Sequence, residues 1–185
     1  MHNPHNATAN DARVQQRTQA LVRLFEEVAR TRMQGVPILN PALRVQAVGF
    51  VQVEDQVQGV LITPWFMNLM NFPLQRQPTR EQTGSQQALV FGDRSFDFIT
   101  GHDDVFGSYA SCSLFSPMFE FPDQNTAVTT ANAVLATLRA PKPAALAPAA
   151  PEAQAVAVAP PTGEMPARRA FFLARRSGPA GSAAP

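Results

Sequence analysis

From Ala140 to Pro166 the chain holds seven of its 17 prolines together with ten alanines. Proline fixes φ and lacks an amide donor, so this stretch cannot run on as a helix or a central strand, and it has little to bury. It reads as a spacer, extended or partly polyproline-like. It divides the 185 residues into a disordered N-terminus (1–10), a domain over 11–139, the spacer (140–166), an Arg-rich strand returning to the domain (167–177) and a disordered tail (178–185). The body is long enough to bury a sizeable core, and two domains are not expected.

Charge follows the same division. Residues 1–138 carry nine arginines against twelve carboxylates, and residues 139–185 carry six basic residues against two acidic ones, so a net +1 conceals an acidic body and a basic tail. The body offers no concentrated basic face for phosphates, which argues against nucleic acid as a partner. The single cysteine, Cys112, excludes an intramolecular disulfide and any Cys-rich metal site. The first ten residues are polar, and no window approaches the 18 or so apolar residues of a membrane span, so a cytoplasmic protein without membrane insertion is expected.

Apolar residues at helical spacing predict an amphipathic helix over Asp11 to Met33, capped by Asn10 or Asp11 and ended by Gly35 and Pro37. Period two then places Val45, Ala47, Gly49, Val51 and Val53 on one face, followed by Glu54-Asp55-Gln56 and a second strand to Thr63, a β-hairpin. Trp65 to Phe72 reads as a short helix or turn and Leu74 to Gln87 as a loop. Leu89–Phe91, Phe96–Thr100 and Phe106–Leu114 read as further strands, and a helix opens at Asp123 with Val128, Ala131, Leu135 and Leu138 in one stripe. The expected fold is α+β: an antiparallel sheet of about five strands with an N-terminal and a C-terminal helix on one face, a two-layer sandwich.

Chemistry-bearing residues are sparse. His102, Asp103 and Asp104 do not complete a metal-ligand set, and His2 and His5 sit in the N-terminus, so no metal or cofactor is expected. Cys112 needs a base such as His102 close by to be a nucleophile; a lone strand cysteine is otherwise a small core residue. No phosphate loop, dinucleotide fingerprint or hydrolase elbow is present, and no catalytic residue is assigned. Two features suit a docking surface instead. Trp65, Phe66, Met67, Met70 and Phe72, extended by Met118, Phe119 and Phe121, concentrate adaptable apolar groups, which serve equally well as core. Asp93, Asp97, Asp103 and Asp104 offer carboxylates to a cationic partner, or are simply solvated turn positions. The tail adds Arg168, Arg169, Phe171, Phe172, Arg175 and Arg176, an apolar strand (Ala170 to Ala174) framed by arginine pairs.

Three blocks carry a resemblance: Gly59-Val60-Leu61-Ile62-Thr63-Pro64-Trp65; Tyr109-Ala110-Ser111-Cys112-Ser113-Leu114-Phe115-Ser116-Pro117; and Arg168-Arg169-Ala170-Phe171-Phe172-Leu173 leading to Arg175-Arg176-Ser177. With Phe25-Glu26-Glu27-Val28-Ala29 they resemble the HybE/HupJ-type (HoxT-like) nickel-iron hydrogenase assembly chaperones. The resemblance implies a non-enzymatic, cytoplasmic maturation factor. Its partners would be the hydrogenase small-subunit precursor, with its twin-arginine signal peptide, the large-subunit precursor or both, and other maturation factors. The precursors would be held until cofactor insertion and assembly are complete, before export. Some relatives carry a rubredoxin domain, which one cysteine cannot supply here. A two-part clamp follows as an expectation, with the apolar signal on Trp65, Phe66, Met67 and Met70 and its arginine pair on the four aspartates. The tail would either occupy that site until displaced or complete a sheet edge. The competing class is a redox or metal-handling enzyme, or a protective factor, acting on the hydrogenase cofactor.

Overall fold

The computed structural model describes residues 4–77 and 82–140. Their order is α1 (Pro4–Thr31), β1 (Gln46–Val53), β2 (Gln56–Ile62), β3 (Met67–Pro73), β4 (Gln86–Phe91), β5 (Arg94–Asp103), β6 (Gly107–Phe115) and α2 (Gln124–Arg139). Every pairing is antiparallel, in the strand order β1-β2-β3-β6-β5-β4. This is the expected α+β class, with six strands rather than about five.

The layering differs from the expectation, because the two helices cover opposite faces. Val14, Leu21 and Phe25 of α1 pack with Val57, Leu61, Met70 and Phe72. Ala127, Ala131, Leu135 and Leu138 of α2 pack with Val60, Ile62, Met67 and Leu69. Alternate residues of the same central strands thus enter two separate cores, and the molecule has three layers. A helix stripe shows that a face is buried but not which side of a sheet receives it.

That layering corrects the reading of Trp65 to Phe72, which is the central strand β3 after a tight turn rather than a helix. Thr63 makes the turn: its Oγ1 accepts from Trp65 N and Phe66 N at 3.3 and 2.9 Å and donates to Phe66 O at 3.0 Å. Covered on both sides, β3 shows no apolar–polar alternation, so its period is invisible. β1 also departs from simple alternation. Gly49, at φ +60°, forms a bulge between Val48 and Val51. The extra residue turns Val51 and Val53 to the α2 side while Val45 packs on the α1 side. α1 begins at Pro4, so residues 4–10 are helical and neither Asn10 nor Asp11 is its cap. β4 begins at Gln86, inside the stretch read as a loop.

The sheet is strongly curled. β5 pairs with β4 through Arg94–Ile99 and with β6 only from Ile99 onward. The β4–β5 hairpin therefore peels away from β6 and folds over the α2 side. There the Gln58 amide donates to Val90 O at 3.0 Å, joining β2 to an edge strand four places away in the sheet. The hairpin turn also meets the end of α2: a Cβ on Gly92 would lie 1.8 Å from Leu138 O. Arg139 closes the same corner, donating to Gly49 O and Gln58 O at 2.8 and 3.1 Å.

Candidate docking surface

At the end of the sheet where β2 turns into β3, one buried asparagine joins three loops. Asn40 donates its side-chain amide to Met118 O and Phe121 O at 2.9 and 2.8 Å, while its backbone N–H reaches Pro64 O at 2.8 Å. Ser116 Oγ donates to Trp65 O at 3.3 Å. These contacts sink most of the predicted apolar surface. Met67, Met70, Phe72 and Met118 are 0% exposed and Trp65 and Phe121 are buried, so these residues form core, not a surface for a client. Trp65 and Phe66 stack edge to face at 5.5 Å, and Phe66 does the same with Phe25 of α1. Of the predicted group only Phe66, half-buried, and Phe119, 60% exposed, reach the outside, with Ile38 exposed in a third loop.

The predicted acidic receiver is also split. Asp93 lies in the β4–β5 turn next to Arg94, their nearest charged atoms 3.7 Å apart, and Asp103 and Asp104 lie at the far end of β5. Ten strand residues separate the two ends, about 33 Å of chain. Asp103 is occupied: its Oδ1 accepts from Val105 N and Phe106 N at 2.9 and 2.8 Å and so shapes the β5–β6 turn. Asp104 is open, and His102 beside it shares a hydrogen bond with Ser108 Oγ at 3.0 Å. Asp97 sits midway along β5, opposite Ala88. One arginine pair cannot meet all four carboxylates.

Neither chemical alternative gains a constellation. Among the described residues, no three His, Cys, Asp or Glu side chains converge as metal ligands. Cys112 is half-buried, and burial together with the Asp97 charge pushes its thiol upward, away from the reactive thiolate. His102 is bonded to Ser108, four residues along β6 from Cys112 and roughly 13 Å away, so it does not serve the thiol as a base.

Two structural anchors went unnoticed in the sequence because their roles depend on distant carbonyls. Arg17 donates to Pro73 O and Phe106 O at 3.3 and 3.1 Å, with its guanidinium 4.1 Å from the Phe106 ring centroid. Asn40 is the other.

The sequence also passed over a trough on the α2 side, between the ends of β1 and β4. It comprises adjoining cavities of about 250 and 500 Å³ that share Gln56, Asn71 and Leu89. Its floor is uncharged amide: Gln56, Gln58 and Asn71, with Gln87 at the wall. Val51 and Val53, 41% and 43% exposed, form the opposite wall. The signal available in sequence was the row of glutamines at inward strand positions, where apolar residues are the rule. The Arg-rich strand Arg168–Arg176 and the spacer lie outside the described residues.

Comparison with known proteins agrees with this architecture. A solved structure, the solution structure of HybE from Escherichia coli, superposes with a TM-score of 0.54 at 26% identity, covering 88% of this chain and 91% of that one. HoxT of Cupriavidus necator is 42% identical over 143 residues, 69% of this chain and 80% of that protein. A probable rubredoxin, HupJ of Rhodobacter capsulatus, is 37% identical over 68% of this chain and 46% of its own greater length. The family model for the NiFe-hydrogenase assembly chaperone HybE matches residues 16–174, from the first helix into the arginine-framed tail. The chain therefore belongs to the HybE family of NiFe-hydrogenase assembly chaperones.

Proposed function

We propose that this chain is a non-enzymatic, cytoplasmic holding factor for precursor subunits of a NiFe hydrogenase. It binds the small-subunit precursor with its twin-arginine signal, the large-subunit precursor, or both, until cofactor insertion and assembly are complete. The observation that carries this reading is the family match over residues 16–174. A second observation is in keeping with it: burial and the Asp97 charge raise the Cys112 thiol, away from the reactive thiolate. Phe119 and Ile38, with half-buried Phe66, remain as the apolar contacts at the loop end, and Asp104 is open at the far end of β5.

The test is capture of the small-subunit precursor by the tagged full chain, with and without the signal segment. Capture only with the signal supports holding through it. Equal capture moves the contact to the folded subunit, and no capture of either precursor subunit refutes the reading.

A further inference from the structure

The geometry points to the amide-floored trough as the seat of an extended, uncharged aliphatic stretch of a client polypeptide, laid beside β4 as an added strand with a basic residue opposite Glu54. This inference rests on the reading of the chain as a holder of precursor polypeptide and says where and how the polypeptide is held.

Four observations converge. First, β4 is the terminal strand of the sheet, and among the described residues it pairs only with β5, which leaves one edge of backbone donors and acceptors open. That edge faces the trough, since Gln58 reaches Val90 O from across it. The Gln58 amide stands where a neighbouring strand would bond, and an incoming peptide would take over that carbonyl. Second, the floor is built of groups that donate and accept like a peptide. Asn71 is only 8% exposed, gives one bond to Gln56 Oε1 at 3.2 Å, and leaves its Oδ1 without a partner. A buried acceptor without a donor is costly, and a peptide N–H is a donor of the kind it lacks.

Third, the walls are aliphatic, and Arg139, the cation at this site, is engaged with Gly49 O and Gln58 O. A charged segment would lose hydration there without gaining a partner, whereas alternating small aliphatic side chains meet Val51, Val53 and Leu89. Fourth, Glu54 lines the trough from the β1–β2 turn at φ +55°, a left-handed conformation that favours glycine or asparagine. A glutamate held there keeps a carboxylate at the trough's mouth, where it selects a cation.

The experiment uses the full chain and a fluorescent synthetic peptide of alternating alanine and valine with one terminal arginine, read by anisotropy. Val53→Lys is expected to weaken binding at least about tenfold while the thermal unfolding midpoint stays near that of the parent, because Val53 is 43% exposed. Glu54→Gln is expected to weaken the arginine peptide about threefold and to leave a peptide with glutamine in that place unchanged. A photocrosslinker at position 51 should capture the peptide. Unchanged binding by folded Val53→Lys overturns the proposal, as does crosslinking only within the chain or to a second copy. In parallel, precursor co-purification separates the two readings. If Val53→Lys captures precursor as well as the parent, the trough proposal falls and the holding function stands; if the parent captures none, the holding function itself falls.

Discussion

Alanine at Gly92 is expected to force the β4–β5 hairpin off the end of α2. Its Cβ would lie 1.8 Å from Leu138 O and 2.7 Å from Leu138 C, both backbone atoms, so no rotamer change relieves the clash. The hairpin must retreat by more than about 1 Å to reach ordinary contact distance. Retreat unpacks Phe91 and Leu138, 0% and 6% exposed, for which a partial loss of packing costs about 2–3 kcal/mol. Gly92 also has φ +67°, where an alanine is strained by about 1–2 kcal/mol. The total is about 3–5 kcal/mol, a large share of the stability of a domain this size. Gly84→Ala is the control, since Gly84 has φ +86° with nothing within 4 Å of the added carbon, and only the dihedral cost of about 1–2 kcal/mol applies. Urea unfolding followed by far-ultraviolet circular dichroism measures both, and the expected gap of about 2–3 kcal/mol separates the midpoints by roughly 1 M. Equal losses in the two variants would refute the close approach of hairpin and helix.

Four further outcomes follow from the same contacts. Arg17→Met should cost about 2–3 kcal/mol, measured by urea unfolding, because two carbonyls at the ends of β3 and in the β5–β6 turn lose a charged donor and Phe106 loses its cation; a loss below about 0.5 kcal/mol would show that α1 docks without it. Asn40→Ala removes two buried side-chain bonds and should cost about 2–4 kcal/mol, with the near-ultraviolet aromatic signal altered around Trp65; a parent-like melt contradicts this. The Asp123 carboxyl caps α2, and the Thr126 backbone N–H holds it below its ordinary range. Its native value is the lower one, so its stabilisation is present above about pH 4 and is lost as the pH falls through that lowered value. Asp123→Ala should therefore fall short of the parent by more at pH 7 than at pH 2, and an equal gap at both would count against the cap. Burial raises the Cys112 thiol, so its reaction with a disulfide reagent at pH 8 should be several-fold slower in the native chain than in urea; equal rates would mean that the thiol is open.

Strand β2, buried from Val57 to Ile62, was legible from the Glu54-Asp55-Gln56 turn before it; helix α2 and strands β1 and β5 were legible because each keeps one side covered and the other open, and such elements write their period into the chain. Strand β3 did not, since Met67, Leu69, Met70 and Phe72 are enclosed from both sides and Asn68 and Asn71 are buried beside them. The same enclosure explains why the predicted apolar surface proved largely internal: Trp65, Met67 and Met70 look alike whether they face a partner or a helix of their own chain. Family membership was legible from short blocks whose order survives the spacer. The trough was not, because it arises where β2 and β4, 32 residues apart at Gln58 and Val90, are brought together by curling.

Strand β5 has a consequence for local stability. Its first half answers to β4 and its second to β6, with the change at Ile99. The β4–β5 arm is thus a cooperative unit separable from the β2–β3–β6 centre, joined to it by the Gln58 amide and by the approach of Gly92 to α2. Hydrogen exchange along this one strand should show a step, with faster amides before Ile99 than after Thr100. Release of the arm would uncover Phe91 and Phe98, both fully buried, and the Leu138 end of α2 beside them, so the apolar surface would grow while the β2–β3–β6 pairing is kept.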